Sequence, residues 1–150
     1  MALRTFEHTW VRAGSWAFVA LPPGQWPLTA QRDAAVEAAI GFERTASPAA
    51  ARAVYDSALA RWPDDLRLAM GQANTTYATG DKSRAAESFG AAGKRFRSAP
   101  AWINRATVLL ELGRAPEALA AAREAVALND AAWQSQAEKV LQAAQRAAGP

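Results

Sequence analysis

The chain of 150 residues is 51% hydrophobic and 21% charged, a balance suited to one soluble domain or a short array, and 17 Lys and Arg against 14 Asp and Glu give a net charge of +3. It has no cysteine and a single histidine, His8, which excludes disulfides, thiolate metal sites and a cysteine nucleophile and leaves any histidine-based site to one residue near the N-terminus. No catalysis, metal or cofactor is therefore expected, and the scattered basic residues argue against a nucleic-acid partner.

The chain divides near residue 30. Residues 1–30 form an aromatic, proline-bearing segment, with Phe6, Trp10, Trp16, Phe18 and Trp26 among Pro22, Pro23, Gly24 and Pro27. Glu7, His8 and Arg12 interrupt its apolar start, which argues against a signal peptide. The run from Trp16 to Pro23 is far shorter than the roughly 20 residues of a membrane span. Trp16 to Leu21 reads as a short buried strand stopped by Pro-Pro-Gly. A lone strand needs a pairing partner that a helical remainder does not supply, and pairing with its copy across a twofold axis would make a homodimer. The aromatic cluster Trp10, Trp16 and Trp26 suits an interface surface better than a ligand cage.

From residue 31 to 150 the pattern becomes helix, breaker, helix. Helices are predicted at 32–44, 48–62, 66–79, 82–95, 99–112, 115–128 and 131–147, giving hairpins 32–62, 66–95 and 99–128 and a capping helix. Pro48, Pro100 and Pro116 fall in first helical turns, and Gly80 and Gly113 at helix ends. Asp81 is placed to cap one helix, Asn129 with Asp130 the last, and Asp64–Asp65 reads as a capping turn rather than an acid–base pair. The basic run Lys94, Arg95, Phe96, Arg97 suits a helix C-terminus, where unpaired carbonyls attract cations, better than a phosphate site.

A repeat underlies this punctuation. Ala51, Tyr55 and Ala58 return as Ala85, Phe89 and Ala92 and again as Ala118, Ala122 and Ala125, at offsets of 34 and then 33 residues. Small residues at such spacing let paired helices approach closely, and Tyr55 and Phe89 fill the space between neighbouring hairpins. Ala122 is smaller, so Trp133 or Leu141 of the last helix is expected to cover it.

The pattern resembles the tetratricopeptide repeat. One unit runs Trp102, Ala106, Leu109, Gly113, Ala118 and Ala125; a looser one keeps Ala73, Tyr77, Gly80, Asp81, Ala85, Phe89 and Ala92; the first has Ala39, Phe42, Ala51, Tyr55, Ala58 and Pro63, with Ala46 in place of the turn glycine. Gln72 and Arg105 stand where that family usually has a leucine-like residue. The resemblance covers about residues 32–130. It implies an all-α, right-handed superhelical array of about three helix-turn-helix hairpins, a C-terminal capping helix and a short extended N-terminal segment.

What the resemblance implies for function is a scaffold that binds a protein or peptide on its concave face without catalysis. Repeat position places Arg67, Met70, Asn74, Tyr77, Ile103, Asn104, Thr107 and Glu111 on that face. Side-chain amides such as Asn74 and Asn104 can bond a peptide backbone bidentately. Repeat proteins that clamp a C-terminal carboxylate carry asparagines at equivalent places, but the clamp's cations are absent here and Met70 stands at one of them.

The string FEHTWVRAGSWAFVALPPGQWPLTA resembles the closing segment of a bacterial papain-like cysteine peptidase domain of the bacteriocin-processing type, in a family where tetratricopeptide repeats follow the peptidase. The alternative it implies is a substrate- or partner-positioning C-terminal region of a peptidase whose catalytic domain is not in this chain. The family's cysteine has no counterpart, and His8 carries no assigned role. As given, the chain reads as soluble and cytoplasmic, or exported if it belongs to a secreted peptidase.

Overall fold

The computed structural model describes residues 9–13, 17–21 and 28–149, with side chains from Ala30 onward. Two strands, β1 (Thr9–Ala13) and β2 (Ala17–Leu21), precede seven helices: α1 (Leu28–Thr45), α2 (Pro48–Arg61), α3 (Leu66–Ala78), α4 (Lys82–Phe96), α5 (Ala99–Glu111), α6 (Ala115–Ala127) and α7 (Gln134–Ala148). The expected strand forms, but it is not alone. β1 pairs with β2 in an antiparallel hairpin, Val11 opposite Val19 and Trp10 opposite Ala20. The chain itself therefore supplies a pairing partner for one edge of the strand, which the helical remainder was not expected to give. His8, Trp16 and Trp26 lie outside the described residues, as does much of the peptidase-like string.

Local chemistry explains the helix boundaries. Ser47 accepts from the Ala50 amide ahead of Pro48, and Ser98 accepts from the Ala101 amide ahead of Pro100. Each satisfies an amide that the first turn leaves without a helical partner. Asp65 and Asp81 cap α3 and α4. Gly80 and Gly113 take left-handed backbone angles, φ +93° and +71°, where the chain leaves a helix.

Two boundaries differ from expectation. α1 begins at Leu28, so the compositional divide near residue 30 falls within its first turn. α7 begins at Gln134 rather than 131, because Asp130 holds a turn: its carboxylate accepts from the Ala132 amide and its carbonyl from the Trp133 amide. Asp130 shapes the approach to α7, and Trp133, without a side-chain bond to the helix, occupies the cap position.

Each helix packs on the next, α1 also meets α3, and α5 also meets α7. These contacts, with the clefts that α3 and α5 share, place the odd-numbered helices along one wall of the array. All the repeat residues from Ala51 to Ala125 are buried. Phe89 joins Ala106, Val108 and Leu109 in the largest apolar cluster, while Tyr55 joins Val36, Ala39 and Leu68 in a second. Ala122 is covered by the α7 side, as expected, but not by Trp133, which is 38% exposed; Val140, Leu141 and Ala144 belong to its cluster. Phe42 is exposed too, unlike the first unit's Tyr55. Phe96 folds onto Ala69, Ala92 and Ala101, and its neighbour Arg95 pairs with Asp64.

Glycines admit the largest side chains between hairpins. A Cβ at position 71 would meet the ring of Tyr55, and one at position 93 the ring of Trp102. Arg105, at a position where leucine was the pattern, lays its guanidinium over Gly90 and donates to the Ala86 carbonyl at 2.9 Å. Gln72, the other departure, donates to Asp56 at 3.1 Å. Polar side chains at these two positions are paired with the preceding hairpin rather than left facing apolar surface.

Candidate functional site

The expected concave residues stand on α3 and α5, whose helical spacing of three and four residues brings them onto one face. Asn74 and Tyr77 of α3 and Asn104, Thr107 and Glu111 of α5 converge on a cleft of ≈ 260 Å³, with Phe89 and Val108 contributing apolar lining. Five of the eight expected residues thus share one cleft. The Asn74 and Asn104 amides hydrogen-bond no other described residue, which leaves their donors and acceptors for a ligand or water. Thr107 donates its hydroxyl to the Ile103 carbonyl at 2.9 Å, so it faces the cleft as an acceptor.

One end of the cleft is closed by charge. The Tyr77 hydroxyl donates to the Glu111 carboxylate at 2.9 Å, Lys82 reaches the same carboxylate at 2.8 Å, and the Lys82 ammonium lies 5.5 Å from the centre of the Tyr77 ring. The hydrogen bond to Glu111 pushes the Tyr77 phenol up. Lys82, and then Tyr77, hold the Glu111 carboxyl below its usual range. All three groups are solvent-accessible, so this arrangement orients side chains more than it stabilises the fold.

Met70 and Ile103 line a second, larger cleft of ≈ 640 Å³ between α5 and α7, which shares Asn104 and Thr107 with the first. Its α7 side, with Trp133, Gln136, Lys139 and Val140, did not emerge from the repeat pattern. The signal was parity: as the fourth odd-numbered helix, α7 belongs to the wall that α3 and α5 form, although its sequence had been read only as a cover for α6.

Arg67 serves another purpose. Its guanidinium bonds the Asp65 carboxylate at 2.8 Å and 3.1 Å and Asp33 of α1 at 2.9 Å. Asp65 also accepts from the Arg67 and Leu68 amides and lies 3.4 Å from Arg32. The Arg67 hydrogen bond holds the Asp65 carboxyl below its usual range. Arg67 is therefore engaged in joining α1 to the start of α3, and it lines neither cleft.

No protein-family model matches the chain, and no curated protein matches it in sequence. Solved structures do match. The type III secretion translocator chaperone SycD of Yersinia enterocolitica is 17% identical over 79% of this chain and 86% of its own, with a TM-score of 0.68. SycD in complex with a peptide of the translocator YopD is 18% identical over 75% of this chain and 90% of its own, with a TM-score of 0.66. MamA is 16% identical over 81% of this chain and 66% of its own, with a TM-score of 0.61. Apart from the β1–β2 hairpin, the fold is an all-α, tetratricopeptide-like superhelical array. Tetratricopeptide-like arrays stack hairpins so that each touches mainly its neighbours, as the helix contacts here do. Among the described residues, no helix is long and apolar enough to cross a membrane and no acidic or histidine group could hold a metal ion.

Proposed function

We propose that the chain is a binding scaffold that captures a peptide or a partner helix on the wall formed by α3, α5 and α7. The observation that carries this reading is the pair of free amides, Asn74 and Asn104, facing one cleft from adjacent hairpins. Amides so placed would bond the backbone of an extended segment while Phe89 and Val108 receive an apolar side chain. Supporting it, the SycD fold is one that holds a peptide of YopD. Because the wall rests on packed helices, binding would require little ordering of the scaffold.

A pull-down from the source cell compares the native chain with an Asn74→Ala, Asn104→Ala double variant. The native chain is expected to retain a partner that the variant loses; a variant that keeps every partner overturns the assignment. The peptidase-associated alternative rests on the N-terminal string alone, and an in-frame upstream segment encoding a cysteine and a histidine would support it.

A further inference from the structure

The cleft between α5 and α7 has an electrostatic character that the first cleft lacks. Lys139 is the one charged residue among those lining it. Lys82 at the neighbouring cleft is bound to Glu111, but Lys139 pairs with no other described residue. The carboxylate beside it in sequence, Glu138, accepts instead from the Gln134 side chain at 3.0 Å. The rest of the lining is largely apolar, with Met70, Ile103, Leu110 and Val140 beside the neutral polar Asn104, Thr107 and Gln136, and Trp133 is 38% exposed. A largely apolar hollow with one free cation and no acid in its lining is complementary to an apolar side chain carried next to a carboxylate. Trp133 is consistent with such an occupant, since large half-exposed aromatics anchor interfaces at small conformational cost.

Resting on the binding reading above, we infer that this cleft takes an internal acidic–apolar segment of a protein partner, with an aliphatic or aromatic side chain in the hollow and a neighbouring Asp or Glu on Lys139. A basic segment is rejected by the same ammonium. Lys139 lies on the rim and sets charge preference and salt dependence more than total affinity.

The test is selection of random twelve-residue peptides, displayed as N-terminal fusions on phage, against the full chain and against Lys139→Glu. Such peptides present no free C-terminal carboxylate, so enrichment reports side chains. Enriched sequences are resynthesised with amidated C-termini and their affinities measured by fluorescence anisotropy at low and moderate salt. The native chain is expected to enrich Asp or Glu within a few positions of Leu, Ile, Met or Phe. Lys139→Glu is expected to weaken those peptides about five- to tenfold, and reselection on it is expected to replace the acidic residue with Lys or Arg, which also shows that the variant is folded. Enrichment without acidic bias, or affinities indifferent to Lys139→Glu, overturns the inference. Peptides that ignore Lys139→Glu but are lost with Asn74→Ala overturn it while leaving the scaffold reading in place. Failure to enrich any peptide counts against both.

Discussion

Tyr55 of α2 presses its ring on the backbone of Gly71 in α3: a Cβ at position 71 would lie 2.1 Å from the Cε1 of the tyrosine. The ring has no room to retreat, because it is buried among Val36, Ala39 and Leu68 and its hydroxyl donates to Glu43 at 2.7 Å. Helix propensity alone favours Gly71→Ala by about 1 kcal/mol. Overpacking against a fixed ring costs about 1–3 kcal/mol, occasionally more. Gly71→Ala is therefore expected to lower stability by up to about 2 kcal/mol in urea unfolding. Gly41→Ala, with open space around its Cβ, is expected to raise it by up to about 1 kcal/mol.

Gly90 presents the opposite case. A Cβ there would lie 2.0 Å from the Arg105 Nη1, but a guanidinium at the end of a flexible stem can swing away. Gly90→Ala alone is expected to be near neutral, since the propensity gain offsets the lost bond to Ala86. Combined with Arg105→Ala, the same change is expected to stabilise by about 1 kcal/mol relative to Arg105→Ala alone. A double-mutant cycle measures the coupling, expected at about 0.5–1.5 kcal/mol; strict additivity would refute this account of why a polar residue occupies position 105.

Alkaline stability follows from Tyr55. Burial, reinforced by the hydrogen bond to Glu43, pushes its phenol well above the usual tyrosine range. A raised folded-state value means that the contribution is complete below the unfolded value near about 10 and is lost as pH climbs towards the folded one. Unfolding free energy is expected to fall above pH ~10 with a slope from this group of at most about 1.4 kcal/mol per pH unit. Tyr55→Phe is expected to cost about 0.5–1.5 kcal/mol at neutral pH and to flatten that slope. Chemical denaturation from pH 8 to 11 compares the two proteins.

Asp65 governs the acid side. Its carboxyl is held low chiefly by Arg67, so its contribution is complete above the unfolded value near about 3.9 and disappears as pH falls through the folded value. Asp65→Asn keeps an oxygen for capping α3 but removes the charge, with an expected cost of about 1.5–3 kcal/mol at pH 7. The gap between variant and native should narrow by pH 3; a constant gap would place the effect in packing rather than charge.

The even-numbered helices were the most legible part of the chain. Ala51, Ala85 and Ala118 are buried because two backbones meet there, and that requirement writes itself into sequence as a period. Prolines, glycines and capping aspartates marked most boundaries for equally local reasons. What could not be read depends on three-dimensional neighbours. Nothing near Gly71 or Gly93 in sequence announces a ring from another helix. Arg67 had the right repeat position for the concave face, yet the carboxylates of Asp33 and Asp65 draw it away. Asn74, Tyr77, Asn104, Thr107 and Glu111 line one cleft because repeat position determines facing, whereas the second cleft needed α7, which has no hairpin partner to reveal its register. Of the two residues expected to cover Ala122, Leu141 packs on its cluster, whereas Trp133 does not, because the turn held by Asp130 places it before the helix rather than on its inner face.

The two ends of the wall of odd-numbered helices are held by different forces. Between α1 and α3, Asp65 draws in Arg32 and Arg67 while Asp33 meets Arg67 from the other side. Between α5 and α7 the surfaces around Ile103 and Val140 are chiefly apolar. Salt weakens the former at its exposed members, and cooling weakens the latter. The two ends of the wall therefore answer to different conditions: added salt loosens the α1–α3 junction and cooling loosens the α5–α7 junction, each without the other.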